Sequence, residues 1–375
     1  MSVLIQILAI IVCIALACSL LGPFLILKNI SMMVDAISHT ILLGIVLAFF
    51  LIGDLNSPFL IFGAAIMGLI TVYLINALKR TGLVDQDAAI GIVFPLLFSI
   101  GILLISLATG NIHLDVDTVL LGKIELAPFD FLSVNGMDLG AKSIYIALTC
   151  FLINGFFVYR FFKELKLITF DPDLALALGL PLALLNFIFI SLVSITTVAS
   201  FSALGSILVI CLMVGPAASA YLLSKDLKRM ILISMAFGVL DVVLGTLVAF
   251  YFDLSIAGTC AFAIGINFLL CFLFAPEEGV LAVKKKRQVQ RYKFLQLNIL
   301  FHLYNHKGTE EYIVEAQEEE MNQHLRLEDS IYRQILLSLE EKSWVEIKQG
   351  IVNITSKGEE YLLKESETLG LLDRA

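Results

Sequence analysis

Nine stretches of this chain are apolar for long enough to cross a lipid bilayer, and that leaves few folds open to it. They run Val3–Leu27, Ser31–Ile52, Pro58–Leu78, Ala88–Ala108, Ser143–Phe162, Leu182–Phe201, Leu204–Leu223, Met230–Phe252 and Ile256–Phe274. A helix needs about 20 mostly apolar residues to span the hydrocarbon core. Composition agrees: 59% of residues are hydrophobic, only 15% are charged, and mean hydropathy is +0.94, far from a soluble domain. Small and polar residues near Ser200–Gly205 are all that part the sixth run from the seventh, so a count of eight stays open. No Lys or Arg precedes the first run. A cleaved signal peptide would have a basic start, so a retained helix is expected.

Charge fixes an expected orientation. With nine spans, Lys28, Lys79, Arg80, Arg160, Lys163, Lys166, Lys225, Lys228 and Arg229 collect on one side, against Lys123 and Lys142 on the other. The positive-inside rule makes the first side cytoplasmic and places the N-terminus outside. The C-terminal tail is then cytoplasmic, and its opening run Lys284–Arg287 reads as an anchor near anionic headgroups, not as a nucleic-acid patch.

Within the second run stands Asp35-Ala-Ile-Ser-His39. Charged or ionisable groups in hydrocarbon cost a few kcal/mol by insertion scales, so they are seldom placed there without a task. Asp35 and His39 are four apart and share one helix face. A carboxylate oxygen and an imidazole nitrogen so placed could hold one divalent cation. A polar pair bonded to a neighbouring helix fits the spacing equally well.

The longest outside loop, Thr109 to Ala141, carries Asp115, Asp117, Glu125, Asp130 and Asp138, with His113 among them. Such a mouth attracts cations at long range, although a solvated acidic loop explains the same residues. Cys13, Cys18, Cys150, Cys211, Cys260 and Cys271 lie in apolar runs with no CxxC spacing. They read as packing residues, not as a disulfide framework or zinc site. Walker A, nucleophile-elbow and HExxH motifs are missing from the sequence. An enzyme is not expected, and energy for transport must come from an ion gradient or another polypeptide.

Five segments resemble, in order, the permease subunits of manganese/zinc/iron-type ABC importers. They are Asp35–Gly44, Asp85–Val93, His113–Gly122, Asp171–Pro181 and Gly215–Arg229, and the resemblance covers roughly Leu4 to Ala275. It implies a bacterial cytoplasmic-membrane pore of two permease chains, alike or different. A pair of ATPase subunits would drive it from inside, and an extracytoplasmic metal-binding lipoprotein would feed it from outside. In that family the matching acid and histidine face the translocation path, which here makes Asp35 and His39 the metal ligands. The cargo would be manganese, zinc or iron, carried as substrate with no permanently bound cofactor. Carboxylate plus imidazole suits Mn²⁺ or Zn²⁺.

The resemblance also makes Gly215–Arg229 the stretch that meets the ATPase. Read from its residues, Gly215-Pro216 should end the seventh helix, because proline interrupts helical bonding. Ala217 and Ala218 then permit close packing, and Lys225, Lys228 and Arg229 reach the cytoplasmic surface. A short helix there would fit a groove on a partner; a plain loop with inside charges is the alternative. Asp241, mid-span, is open between a second path ligand, a partner for an Asn or Ser on a neighbouring helix, and a protonated acid. Asn154, Asn186 and Asn267 are expected to bond between helices. The pairs Gly44/Ala48, Gly63/Met67 and Gly238/Val242 are too patchy to assign a packing interface.

The tail is another kind of sequence. Phe294, Leu297, Phe301 and Tyr304 recur at helical spacing, as do Ile331, Ile335 and Leu339. Trp344–Ile354 reads as two strands around a turn at Gln349-Gly350, and a final helix starts near Thr355. Helices, hairpin and helix resemble the winged-helix layout of iron-dependent repressors. Such an appendage departs from the usual importer permease. The expected recognition helix, Leu327 to Lys342, carries Glu328, Asp329, Glu340 and Glu341 against Arg333 and Lys342. DNA readers present a basic face, so a protein-docking or regulatory role is expected. His302 and His306 are i, i+4 and His324 follows, with no third ligand evident beside the helical pair.

The expected architecture is an all-α polytopic membrane protein of about nine helices with a small α+β winged-helix-like cytoplasmic domain. Its parts are a permease domain over 1–276, a basic juxtamembrane linker over 277–287 and the cytoplasmic domain over 288–375. The expected function is that of an importer permease; the alternatives are a gradient-driven secondary metal transporter and a membrane-tethered transcriptional regulator. A secondary transporter would show internal repeats with broken helices, and a regulator would need a basic recognition helix.

Overall fold

The computed structural model describes residues 3–53, 57, 59–108, 124–134, 137–309, 312–325 and 327–368. The chain forms two compact units, Met1–Gly279 and Val280–Ala375.

In the first unit α1 (Val3–Leu27), α2 (Met32–Ile52), α3 (Phe59–Arg80) and α4 (Gln86–Ala108) come first. A hairpin, β1 (Phe131–Val134) with β2 (Met137–Ala141), precedes α5 (Lys142–Arg160). The short α6 (Phe162–Phe170) and α7 (Pro172–Ala177) follow. Then come α8 (Leu182–Leu223), α9 (Leu227–Phe252) and α10 (Ile256–Phe274). Among the described residues nine helical segments are long and apolar enough to span a membrane, and α8 supplies two of them.

The division of α8 decides between eight spans and nine. Gly205 has φ 75 and ψ 169, a region open essentially to glycine alone. Thr197 Oγ1 lies 3.6 Å from Met213 Sδ, although a straight helix would separate these residues by about 24 Å. The chain therefore doubles back at Gly205, giving Leu182–Phe201 and Ala203–Leu223 as separate spans.

Helix α1 is the centre of the unit. Its residues from Ala17 to Leu25 are all buried, on every side of the helix, as expected of a helix enclosed by others. It packs against α5, α8 and α9. The outer helices leave large apolar side chains such as Phe62, Tyr73, Leu103, Phe156 and Phe262 exposed, the surface a lipid-facing helix needs.

Glycines set the crossings, and here the sequence reading fell short. A Cβ at Gly44 would fall 2.5 Å from the Gly63 oxygen and 2.7 Å from Met67 Cβ, and one at Gly63 would fall 2.6 Å from Ala48 Cβ. The spacing judged too patchy to assign is thus the α2–α3 crossing, the small-residue contact by which membrane helices approach closely. Gly238 likewise lies against Ser19 of α1.

Pro216 does not end a helix. Helix α8 runs through it to Leu223, so the expected break and the short surface helix beyond it are both corrected. The carbonyl that proline leaves without a donor is that of Leu212, four residues back, and Ser19 Oγ of α1 donates to it at 3.4 Å. Pro23 repeats the device: it frees the Ser19 carbonyl, which accepts the Ser234 hydroxyl at 2.9 Å. Prolines are tolerated in membrane helices when neighbours supply the missing bond.

The described part of the expected outside loop holds a hairpin. Residues Phe131–Val134 and Met137–Ala141 pair antiparallel with a register shift between Phe131 and Ser133. His113, Asp115 and Asp117 lie outside the described residues.

The second unit holds α11 (Val280–His306), α12 (Tyr312–Glu315), α13 (Glu318–Leu325), α14 (Asp329–Glu341), β3 (Val345–Lys348), β4 (Ile351–Ile354) and α15 (Ser356–Thr368). The basic run Lys284–Arg287, expected in a linker, lies inside α11. Strands β3 and β4 pair in register around Gln349 and Gly350, whose φ values of 53 and 78 are those of a type I′ hairpin turn. Each strand has four residues, and a hairpin of that size does not establish a winged helix. The core joins Leu300 and Leu303 of α11 to Ile335 and Leu339 of α14, with Val345 and Val352 from the hairpin. Phe294 and Tyr304, expected in this stripe, are instead 63% and 36% exposed. The aliphatic set Leu297, Leu300, Leu303 has the same helical period and takes the core, leaving the aromatics at its rim.

Candidate metal path and coupling segment

Asp35 lies in the first turn of α2, about 5 Å along the axis, with His39 about 6 Å further in. The acid therefore stands near one end of its span and not at mid-depth, which lowers its desolvation cost, and the positive end of the helix favours its charge. His39 Nε2 lies 3.4 Å from Asp35 Oδ1. The ring packs against Phe94 and Phe98 of α4, at centroid distances of 5.1 and 5.7 Å. The other ring nitrogen, Nδ1, is buried and has no hydrogen-bond partner among the described residues.

The next residues are differently employed. Ser38 and Thr40 donate to carbonyls of their own helix, and Thr71 of α3 donates to Thr40 at 2.8 Å. That face is closed by α3. The Asp35 side chain, in contrast, keeps 43% of its surface and His39 28%. An acid–imidazole pair that is aligned, aromatic-walled on one side and open on the other can offer one oxygen and one nitrogen to a cation.

The segment expected to meet the ATPase, Gly215–Arg229, divides into two halves. Pro216 and Ala217 are buried and Gly215 and Ala218 half-buried, all within α8. A Cβ at Gly22 of α1 would fall 2.8 Å from Ala217 Cβ, and one at Gly215 would clash with Ile264 Cγ2 of α10. These small residues serve packing inside the bundle. Lys225, Lys228 and Arg229 are exposed. Lys225 pairs with Glu277 and Glu278 at 3.1 and 3.8 Å, and those carboxylates hold its ammonium above its ordinary range. Lys228 Nζ lies 5.6 Å from the Phe162 ring centroid. Asp226 caps α9 by accepting from the Arg229 amide at 3.0 Å.

A separate cavity of about 1040 Å³ is lined by Lys28, Asn76, Lys79, Arg80, Gln86 and Asn186 among others. Its cationic wall suits an anionic group better than a metal ion. Burial pushes the Lys28 ammonium down to about 8.

Asp241 has a structural partner. Asn267 of α10 donates to both of its carboxylate oxygens, each at 3.0 Å, and Asp241 is 2% exposed. Of the three readings left open by sequence, the bond to an asparagine on a neighbouring helix is the one formed. Asn154 likewise bridges helices, donating to Ala17 O at 3.3 Å and Thr196 Oγ1 at 2.9 Å. Asn186 accepts from Lys28.

The ABC 3 transport family model matches residues 1–275. The chain belongs to the ABC 3 transport family. Among relatives of this family member, the manganese transport system membrane protein MntD of Bacillus subtilis (strain 168) is 40% identical over 273 residues, 73% of this chain and 92% of that protein. The zinc transport system membrane protein TroD of Treponema pallidum (strain Nichols) is 37% identical over 357 residues, 94% of this chain and 96% of that one. That match is longer than the first unit, so this relative shares sequence with the second unit as well, whereas the MntD match spans about the length of the first unit, as expected of a permease without the appendage. A solved structure, PsaBC from Streptococcus pneumoniae in complex with Fab, superposes with a TM-score of 0.63 at 28% identity, covering 76% of this chain and 96% of that one.

Proposed function

We propose that this chain is the membrane subunit of an ATP-driven importer of a first-row divalent cation, manganese or zinc and by the same donor chemistry iron. The observation that carries the reading is the Asp35–His39 pair, open on one face of a span in a family whose relatives are named for manganese and zinc transport. Two ligands of mixed hardness hold a cation less tightly than a closed four-ligand site, as a path that must release its cargo requires. A second permease chain, alike or different, covers the open face and completes the path. ATP is hydrolysed on separate ATPase subunits, an extracytoplasmic lipoprotein delivers the ion, and this chain catalyses no reaction of its own.

The ATPase docks on the basic half of the coupling segment, Lys225, Lys228 and Arg229, while Gly215–Ala218 transmit its movement to α1 and α10 through their packing. The positive-inside pattern puts the N-terminus outside a bacterial cytoplasmic membrane and the second unit in the cytoplasm. That unit is a winged-helix module that binds protein and tunes transport; the acidic residues of α14 argue against DNA. The test is reconstitution. Proteoliposomes with the ATPase should accumulate Mn²⁺ or Zn²⁺ only with ATP, whereas uptake driven by an ion gradient with no ATPase would establish a secondary transporter.

A further inference from the structure

His302, Glu315 and His324 come from three helices of the second unit and converge. His302 Nε2 lies 3.5 Å and His324 Nδ1 2.6 Å from Glu315 Oε2, and the three ligand atoms all lie within 4.8 Å of one another. Glu315 Oε2 is buried without a conventional hydrogen bond; the two imidazoles are its neighbours. The side chains of His302 and Glu315 keep only 14% and 18% of their surface, while His324 keeps 51% and leaves the cluster a way in. Glu315 is held from behind: the Ala316 carbonyl accepts from Val352, and the Glu318 amide donates to Gly350. The His306 ring packs against His302 at 4.8 Å.

We propose that His302 Nε2, Glu315 Oε2 and His324 Nδ1 bind a first-row divalent cation, with water completing its coordination. Two neutral imidazoles and one carboxylate are a donor set used for zinc and for other ions of this class. At bonds of about 2.1 Å, tetrahedral ligands stand about 3.4 Å apart. The His302–Glu315 separation of 3.5 Å is already close to that value, and the exposed His324 has room to swing back. His302 Nε2 also lies 3.1 Å from the Glu315 carbonyl oxygen, a contact it gives up on ligating. A bound ion would tie α11 to the short α12 and to α13. That this ion is the imported cargo rests on the importer reading; the existence of the site does not.

The full chain in detergent, carrying Asp35→Asn and His39→Ala to silence the membrane pair, is dialysed against Zn²⁺ and assayed for bound metal. It is then titrated with Co²⁺, whose visible absorption reports coordination. One ion per chain is expected. Glu315→Gln, close in shape, and His324→Ala, at an exposed position, should each weaken binding at least tenfold, about the least that loss of even an outer-sphere partner causes. Unchanged thermal unfolding without metal would show both variants folded. Equal stoichiometry and affinity in the parent and both variants, or no ion bound by the parent, would overturn the proposal. Failure of metal uptake by the wild-type chain in proteoliposomes with the ATPase, with this binding intact, would count against the importer reading alone.

Discussion

The Ser19 hydroxyl donates to the Leu212 carbonyl at 3.4 Å, and the carbonyl it reaches is the one that Pro216 leaves free. Ser19 also accepts the Ser234 hydroxyl where Pro23 leaves its own carbonyl free. One residue of α1 thus repairs helices at two proline positions and ties α8 and α9 to the centre of the bundle. Ser19→Ala and Ser234→Ala should each lower stability by about 1 kcal/mol, the scale of interhelical hydrogen bonds in membranes. Thermal unfolding in detergent reads the loss, and Ser234→Thr should retain most of the bond.

Asp241 and Asn267 predict a contrast between stability and transport. Asp241→Leu removes the acceptor and leaves the Asn267 amide without its buried partner, which should cost about 1–3 kcal/mol. Asp241→Asn keeps an acceptor and should preserve both folding and uptake. Loss of uptake in a fully stable Asp241→Asn chain would instead make this acid a path ligand.

Much of the membrane unit is legible in the sequence, because length and hydropathy are one-dimensional signals. The span boundaries agree to within a few residues, and even the Gly205 reversal leaves a mark in the small and polar residues around it. What Pro216 does is not legible. Its effect depends on whether a donor from another helix reaches Leu212, and nothing near position 216 announces Ser19. The α2–α3 crossing was hidden for a related reason: Gly44 and Gly63 become a contact only when the two helices are set side by side. Asp35 and His39 could be found because four residues make one helical turn. Glu315 was missed because it joins His302 and His324 across three helices.

The two halves of the proposed coupling segment should respond differently to mutation. Ala217→Trp places a large ring against Gly22 and should destabilise the bundle itself. It would therefore not isolate docking. Lys228→Glu with Arg229→Glu changes only exposed residues and should leave the fold intact while reducing co-purification with the ATPase. Undiminished co-purification would move the docking site elsewhere.

In the second unit, Trp344 stacks on Tyr361 with ring centroids 3.8 Å apart at 15°, and Lys342 Nζ lies 4.5 Å from the indole centroid. Trp344→Ala should cost about 3–5 kcal/mol, the usual range for such truncations, discounted because the residue is only half-buried. Proteolysis of the second unit should rise while the membrane unit resists. A chain ending at Gly279 should insert and assemble but lose regulation of transport.

The pair on α2 gives the most direct test of the whole account. Metal uptake is measured in proteoliposomes containing the ATPase and either the wild-type chain, Asp35→Asn or His39→Ala, each confirmed as inserted and assembled. Uptake should be lost in both variants while ATPase association is unchanged. Wild-type uptake of Mn²⁺ and Zn²⁺ by both variants would contradict the assignment of Asp35 and His39 to the metal path.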